Sequence, residues 1–149
     1  MATFATTSDL VEYIPDITNH GVGNFDDQLA KAQVDIEKMI KVKWFDAEYS
    51  NSTIYTLHGV GIVWDATKLD ATQWTKCCVY RALAYYILPM LSNFRPEGDA
   101  FQVQADFYKE RFNEEMDLEF GFGIRYDSND NGVFAEGEKF EYTQDRLVR

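Results

Sequence analysis

The chain has little cysteine, histidine or positive charge, and it has no long apolar run. Its two cysteines, Cys77 and Cys78, are neighbours in a sequence of 149 residues, so a disulfide framework is excluded. Folding in a reducing, intracellular compartment is the expectation. Its two histidines, His20 and His58, each open an HGVG tetrad. No third or fourth ligand stands at a matching spacing, so the tetrads read as tight turns and not as a metal centre. Neither GVG extends to G-x-G-x-x-G. G-x-S-x-G, H-E-x-x-H and a P-loop are also missing, so no enzyme signature emerges. A pair of catalytic carboxylates could hide among the acids, but no spacing singles one out. No apolar stretch reaches the roughly 18 residues of a membrane span, and MATFATTSDL has neither the basic region nor the apolar run of a secretory leader. Only 14 Lys and Arg stand against 25 Asp and Glu, a net charge of −11. Such a chain does not hold phosphate backbones through bulk charge, although it could stand beside DNA that must not stick to it.

What is present suits one folded domain. Apolar residues make up 46% and aromatics 15% of the chain, enough to build a core. The pattern predicts a mainly α protein, a small bundle of about four helices over residues 1–120, followed by an extended C-terminal arm over 121–149. A short helix is expected over 7–14, capped by Ser8 or Asp9 and stopped by Pro15. A second is expected over 24–45, with Leu29, Ala32, Ile36, Met39 and Lys43 on its inner stripe, widened by Phe25, Ile40 and Trp44. STIYTLHGVGIVWD, rich in β-formers around a glycine turn, predicts a short hairpin near 53–64. Asp70 caps a third helix that runs nearly to Leu91, with Gln73 at the capping-box position. It is apolar on most sides and therefore central, packing through Trp74, Cys77, Cys78, Ala82, Tyr85 and Leu88, and Pro89 should kink or end it. Cys78 reads as a small core residue and not as a reactive thiol.

The fourth helix, 100–120, puts Phe101, Ala105, Tyr108, Phe112 and Met116 on its apolar stripe. Residues 97–120 hold eight acids against Lys109 and Arg111. Several of these acids crowd the helix C-terminus, where the helix dipole disfavours negative charge by roughly 0.3–1 kcal/mol each. Either this is a solvated face, or Glu110, Glu114, Glu115 and Asp117 keep a surface negative for a purpose. From Gly121 onward the helical pattern stops. The remaining residues keep aromatic and arginine side chains without a helical period, which suits an arm that docks on a partner. Phe140, Tyr142, Arg146, Leu147 and Arg149 are its expected anchors.

Within that arm, YDSNDNGVFAEGE fits every fixed position of the calcium-loop pattern D-x-[DN]-x-[DN]-G-x5-E. The candidate ligands are Asp127, Asn129, Asn131, Glu138 and the main-chain carbonyl of Val133. However, FGFGIRY ahead of the loop reads as a strand and not as the helix of an EF-hand. Only two of the ligands are carboxylates, so any calcium would bind weakly, at about 10⁻⁴–10⁻³ M. Asn, Asp and Gly are also simply what a turn requires. A small calcium-binding module is thus one functional alternative, and a hydrolase using paired carboxylates is another.

The layout as a whole resembles the head–tail adaptor (connector) proteins of tailed bacteriophages. A short helix is followed by one ending in DIEKMIKVKWF, then the apolar TKCCVYRALAYYILPML, then an acidic helix, and the chain closes on RLVR. The resemblance implies a structural virion protein with no enzymatic activity and no cofactor. Such proteins form an oligomeric ring, of twelve copies in the usual case, at the neck between the portal protein and a tail or stopper protein. Genome DNA passes through the lumen without specific binding. On this resemblance the acids Glu110, Glu114, Glu115 and Asp117 would face the lumen, and the C-terminal arm would dock on the portal. The protein would be made in the host cytoplasm and would end in the virion.

Overall fold

The structure, a computed structural model, describes residues 3–19, 21–46, 64–91 and 100–126, together with the backbone of 139–140. Among the described residues it is mainly α, as expected, with four helices around one core. Helix α1 is Thr7–Tyr13. Helix α2 is Asp26–Ile40 and continues as a π turn, Lys41–Phe45. Helix α3 is built of Thr75–Ala82, a π turn Leu83–Ile87 and a last turn Leu88–Leu91. Helix α4 is Ala100–Phe122. Two-residue strands β1, Ile124–Arg125, and β2, Lys139–Phe140, pair antiparallel with Ile124 opposite Phe140. The expected hairpin near 53–64 lies outside the described residues except for Trp64.

Helix α1 is capped two residues before Ser8, the nearer of the two expected caps. Thr6 is the N-cap, and the Asp9 carboxylate reaches back to accept its backbone N–H at 2.8 Å. In α2 the stripe holds as Leu29, Ala32, Ile36, Ile40 and Trp44, all buried, while Lys43 is exposed and does not belong to it. Two polar residues, Gln33 and Glu37, are buried instead, joined by a 3.1 Å hydrogen bond from Gln33 Nε2. Gln33 also accepts the N–H of Phe4 at 2.9 Å, and the Thr75 hydroxyl donates to the Phe4 carbonyl at 2.7 Å. The leading segment is therefore strapped down from both sides of its peptide.

Helix α3 is the central element. Cys77 to Tyr80, Ala82 to Ala84, Ile87 and Leu88 are all buried, as an all-round apolar helix should be, while Tyr85 stays exposed. Its π turn ends two residues before Pro89. Proline offers no N–H and crowds the carbonyl one turn back. A widened turn at that place relieves the crowding. Across α2 and α3, Asp35 accepts Arg81 Nε at 3.1 Å and the Tyr86 hydroxyl, a bridge at the edge of the core. Helix α4 lays Ala105, Phe112, Met116 and Phe120 on this core and ends two residues later than expected.

Candidate functional site

Asp70 caps a 3₁₀ turn, Ala71–Trp74, by accepting the Thr72 N–H at 3.1 Å, and α3 follows from that turn. Gln73 does not close a capping box. Its Nε2 donates to the Gly123 carbonyl at 2.8 Å, and its Oε1 accepts the Arg125 N–H at 3.0 Å. Arg125 also pairs with Asp70 at 3.2 Å. The start of α3 and the end of α4 are thereby held on either side of an open cleft of about 390 Å³, whose charged lining is Lys76, Glu115, Glu119 and Arg125. Glu119 Oε2 is buried without a hydrogen-bond partner. Burial first, then the field of Glu115, pushes the Glu119 carboxyl above its usual range, with Gln73, Arg125 and Lys76 pulling it back. Glu115 and Glu119 stand one helical turn apart, so one acid with a raised pKa lies beside another. These two acids are neighbours that no sequence spacing singled out. The cleft lining offers no histidine and no cysteine, and among the described residues no group of three His, Cys, Asp or Glu could hold a metal ion.

The outer side of α4 is the second candidate. Of the four acids expected on one face, Glu110, Glu114 and Asp117 are exposed, while Glu115 is half-buried and lines the cleft. The structure therefore does not bring all four together. It adds what the sequence reading missed. Val103, Phe107 and Leu118 stand on the outer side of the same helix, 54–69% exposed, while Phe122, 49% exposed, borders the cleft with the Arg125 guanidinium 5.7 Å from its ring centre. The first three lie on the side opposite Ala105, Phe112 and Met116. Between Phe107 and Leu118, Arg111 and Glu114 form a 3.6 Å ion pair, and the Arg111 guanidinium lies 5.9 Å from the Phe107 ring centre. The signal was legible in the spacing, but it was hidden by attention to the acids.

The expected arm begins inside the core. Ile124 and Tyr126 are 0% and 1% exposed. Tyr126 stacks on Trp64 at 5.7 Å and meets Trp44 at 5.4 Å, and its hydroxyl accepts the Asp65 N–H at 3.3 Å. The first six residues after Phe120 therefore belong to the bundle, contrary to the expectation that this stretch contributes no core. Of the expected anchors, only the backbone of Phe140 is described, in β2. Tyr142, Arg146, Leu147 and Arg149 lie outside the described residues, as do the candidate calcium ligands Asp127, Asn129, Asn131, Val133 and Glu138. Cys77 and Cys78 are buried, and burial pushes the Cys78 thiol up to about 12, so neither behaves as a nucleophile. No helix among the described residues is long and apolar enough to cross a membrane. Comparison with family models, with curated proteins and with solved structures finds no match.

Proposed function

We propose that this chain is a structural assembly protein, a ring-forming adaptor between a phage portal and the tail, through which genome DNA passes. The observation that carries the reading is the outer side of α4. Large apolar side chains, Val103, Phe107 and Leu118 among them, stand there 54–69% exposed and interleaved with charge. Such a surface suits contact with another protein chain. Support also comes from the helix order, in which a short helix, a helix ending in KVKWF, a buried central helix and an acidic helix follow one another as in the adaptor proteins the sequence resembles. The exposed acids Glu110, Glu114 and Asp117 share their side with apolar residues, so they fit a protein contact at least as well as a DNA-lined lumen.

The docking arm of this reading consists of the residues beyond the β1–β2 pairing, with Tyr142, Arg146, Leu147 and Arg149 following Phe140. The decisive experiment is native mass measurement of the chain alone and mixed with a portal ring. A ring of chains bound to the portal is the expected species. Loss of binding is expected when the chain is ended after Phe140, with the helical circular dichroism signal kept. A full-length chain that stays apart from the portal would refute the adaptor reading. Failure to release DNA on lysine substitution of Glu110, Glu114 and Asp117 in assembled particles would place those acids at the lumen.

A further inference from the structure

We infer that the outer side of α2 is a second contact surface, which receives the outer side of α4 of a neighbouring copy, head to tail. This contact deepens the ring reading and rests on its α4 surface, whose partner it names.

In a chain of net charge −11, the outer side of α2 is basic. Lys31, Val34, Lys38 and Val42 follow one another there at steps of three, four and four residues. All four are exposed, Val42 at 64%, and they stand opposite the buried stripe of Leu29, Ala32, Ile36 and Ile40. Neither Lys31 nor Lys38 has an ion-pair partner among the described residues, whereas Lys41 pairs with Asp46 at 3.0 Å. The acids nearest this side are Asp27, in the first turn, and Asp35, which already holds Arg81 and the Tyr86 hydroxyl.

The outer side of α4 is its chemical complement. Glu110 and Asp117 are exposed acids without an ion-pair partner among the described residues. Lys31 and Lys38 are seven residues apart, and so are Glu110 and Asp117. Each pair spans about 10.5 Å of its helix, so both lysines can meet both acids in one contact. Val34 and Val42 supply apolar surface beside the lysines, as Phe107 and Leu118 do beside the acids. Exposed ion pairs add little affinity, so the charges chiefly select which surfaces meet.

The two surfaces also face different ways, as a head-to-tail contact requires. Helix α3 lies between α2 and α4. Its Cys78 and Arg81 meet Leu29 and Asp35 of α2, while Trp74 and Tyr80 meet Phe120 and Tyr108 of α4. Each outer helix buries one stripe toward α3 and turns its other side out. One copy can thus offer α2 to one neighbour and α4 to the other. Contacts between unlike surfaces close into a ring when the rotation between copies divides a full turn.

The test is sedimentation of the full chain without portal, from about 1 to about 200 µM at physiological salt. The wild type should associate, and added salt should weaken the association. Lys31→Glu with Lys38→Glu should weaken it at least about tenfold, and so should Glu110→Lys with Asp117→Lys, each with unchanged circular dichroism. Mixing the two double variants should restore association, because copies can then alternate with acidic surfaces on basic ones. A chain carrying all four substitutions should associate with itself. The contact is refuted if the wild type stays monomeric, if the α2 variant associates like wild type, or if the mixture associates no better than its components. It is equally refuted if the wild type holds duplex DNA of random sequence and the α2 variant loses that DNA with association unchanged, which would assign the lysines to phosphate. An α2 variant that associates normally, with a wild type that binds the portal ring, ends this contact and leaves the adaptor reading standing. Association as expected, without portal binding, does the reverse.

Discussion

Replacing Tyr126 with alanine distinguishes a core segment from the start of a free arm. The ring is 1% exposed and packs against Trp44, Phe45 and Trp64 at centroid distances of 5.4, 6.0 and 5.7 Å. Truncating a buried aromatic costs about 3–5 kcal/mol, and three ring contacts place this one toward the upper end. The hydroxyl adds about 1 kcal/mol, because without it the Asp65 N–H loses its acceptor. A chain of this length shifts in Tm by about 2–4 °C per kcal/mol, so Tyr126→Ala should lower Tm by about 12–24 °C. Urea titration followed by circular dichroism should show an earlier midpoint at unchanged slope. Tyr126→Phe isolates the hydroxyl and should cost only about 1 kcal/mol. If Tyr126→Ala costs less than about 0.5 kcal/mol, the range of an ordinary surface change, residue 126 does not belong to the core and the packing argument fails.

Glu37 is buried beside Gln33, and burial raises its carboxyl from the ordinary 4.5, so the folded state binds that proton more tightly than the unfolded chain does. Its contribution to stability is therefore full at low pH and is lost as pH rises from 4.5 through the folded value. Urea titrations across that window should show Glu37→Gln losing less stability than wild type, and a steeper loss in the variant would contradict the assignment. Asp65 behaves in the opposite sense, because hydrogen bonds from Thr67 lower its pKa. The stability it contributes should be present at neutral pH and lost as pH falls, and Asp65→Ala should cost about 1 kcal/mol near pH 7 by thermal denaturation. A thiol reagent should label neither Cys77 nor Cys78 until denaturant opens the core, after which both should react together. Gly21 sits at φ +91 with open space where a Cβ would stand, so Gly21→Ala should cost about 1–2 kcal/mol from the backbone alone.

The helices were legible because their periods were. Leu29, Ala32 and Ile36, and likewise Phe112 and Met116, face the core as spacing required, and the unbroken apolar run of α3 marked it as central. Lys43 was misassigned because counting by three and four carries through a π turn in which the face rotates. Gln73 was misassigned because its true partners, Gly123 and Arg125, lie 50 and 52 residues away. Tyr126 looked like part of an arm because a short strand between glycines has no helical stripe to announce burial. The cleft pair of Glu115 and Glu119 needed the fold itself, since only the packing of α4 on α3 separates Glu115 from the other acids. The outer stripe of α4 was present in the sequence all along, where its helical spacing was masked by the acids between its members.

The three residues Gln73 to Thr75 hold both ends of the described bundle. Thr75 grips Phe4 across 71 residues of chain, and Gln73 grips the stretch after α4 across about 50. Contacts that close such long loops form late in folding, after the local turns of the helices. The three main helices can therefore assemble before either end is fastened, with both ends joining at one place in the closing step. In the reverse direction, one local opening at the start of α3 loosens the Phe4 carbonyl and the Gln73 ties to the stretch after α4, leaving the leading segment held by Gln33 and Asp26 on α2. Hydrogen exchange should then find the Arg125 amide, held by Gln73, opening with the first turn of α3, while the Phe4 amide, held by Gln33, follows the opening of α2.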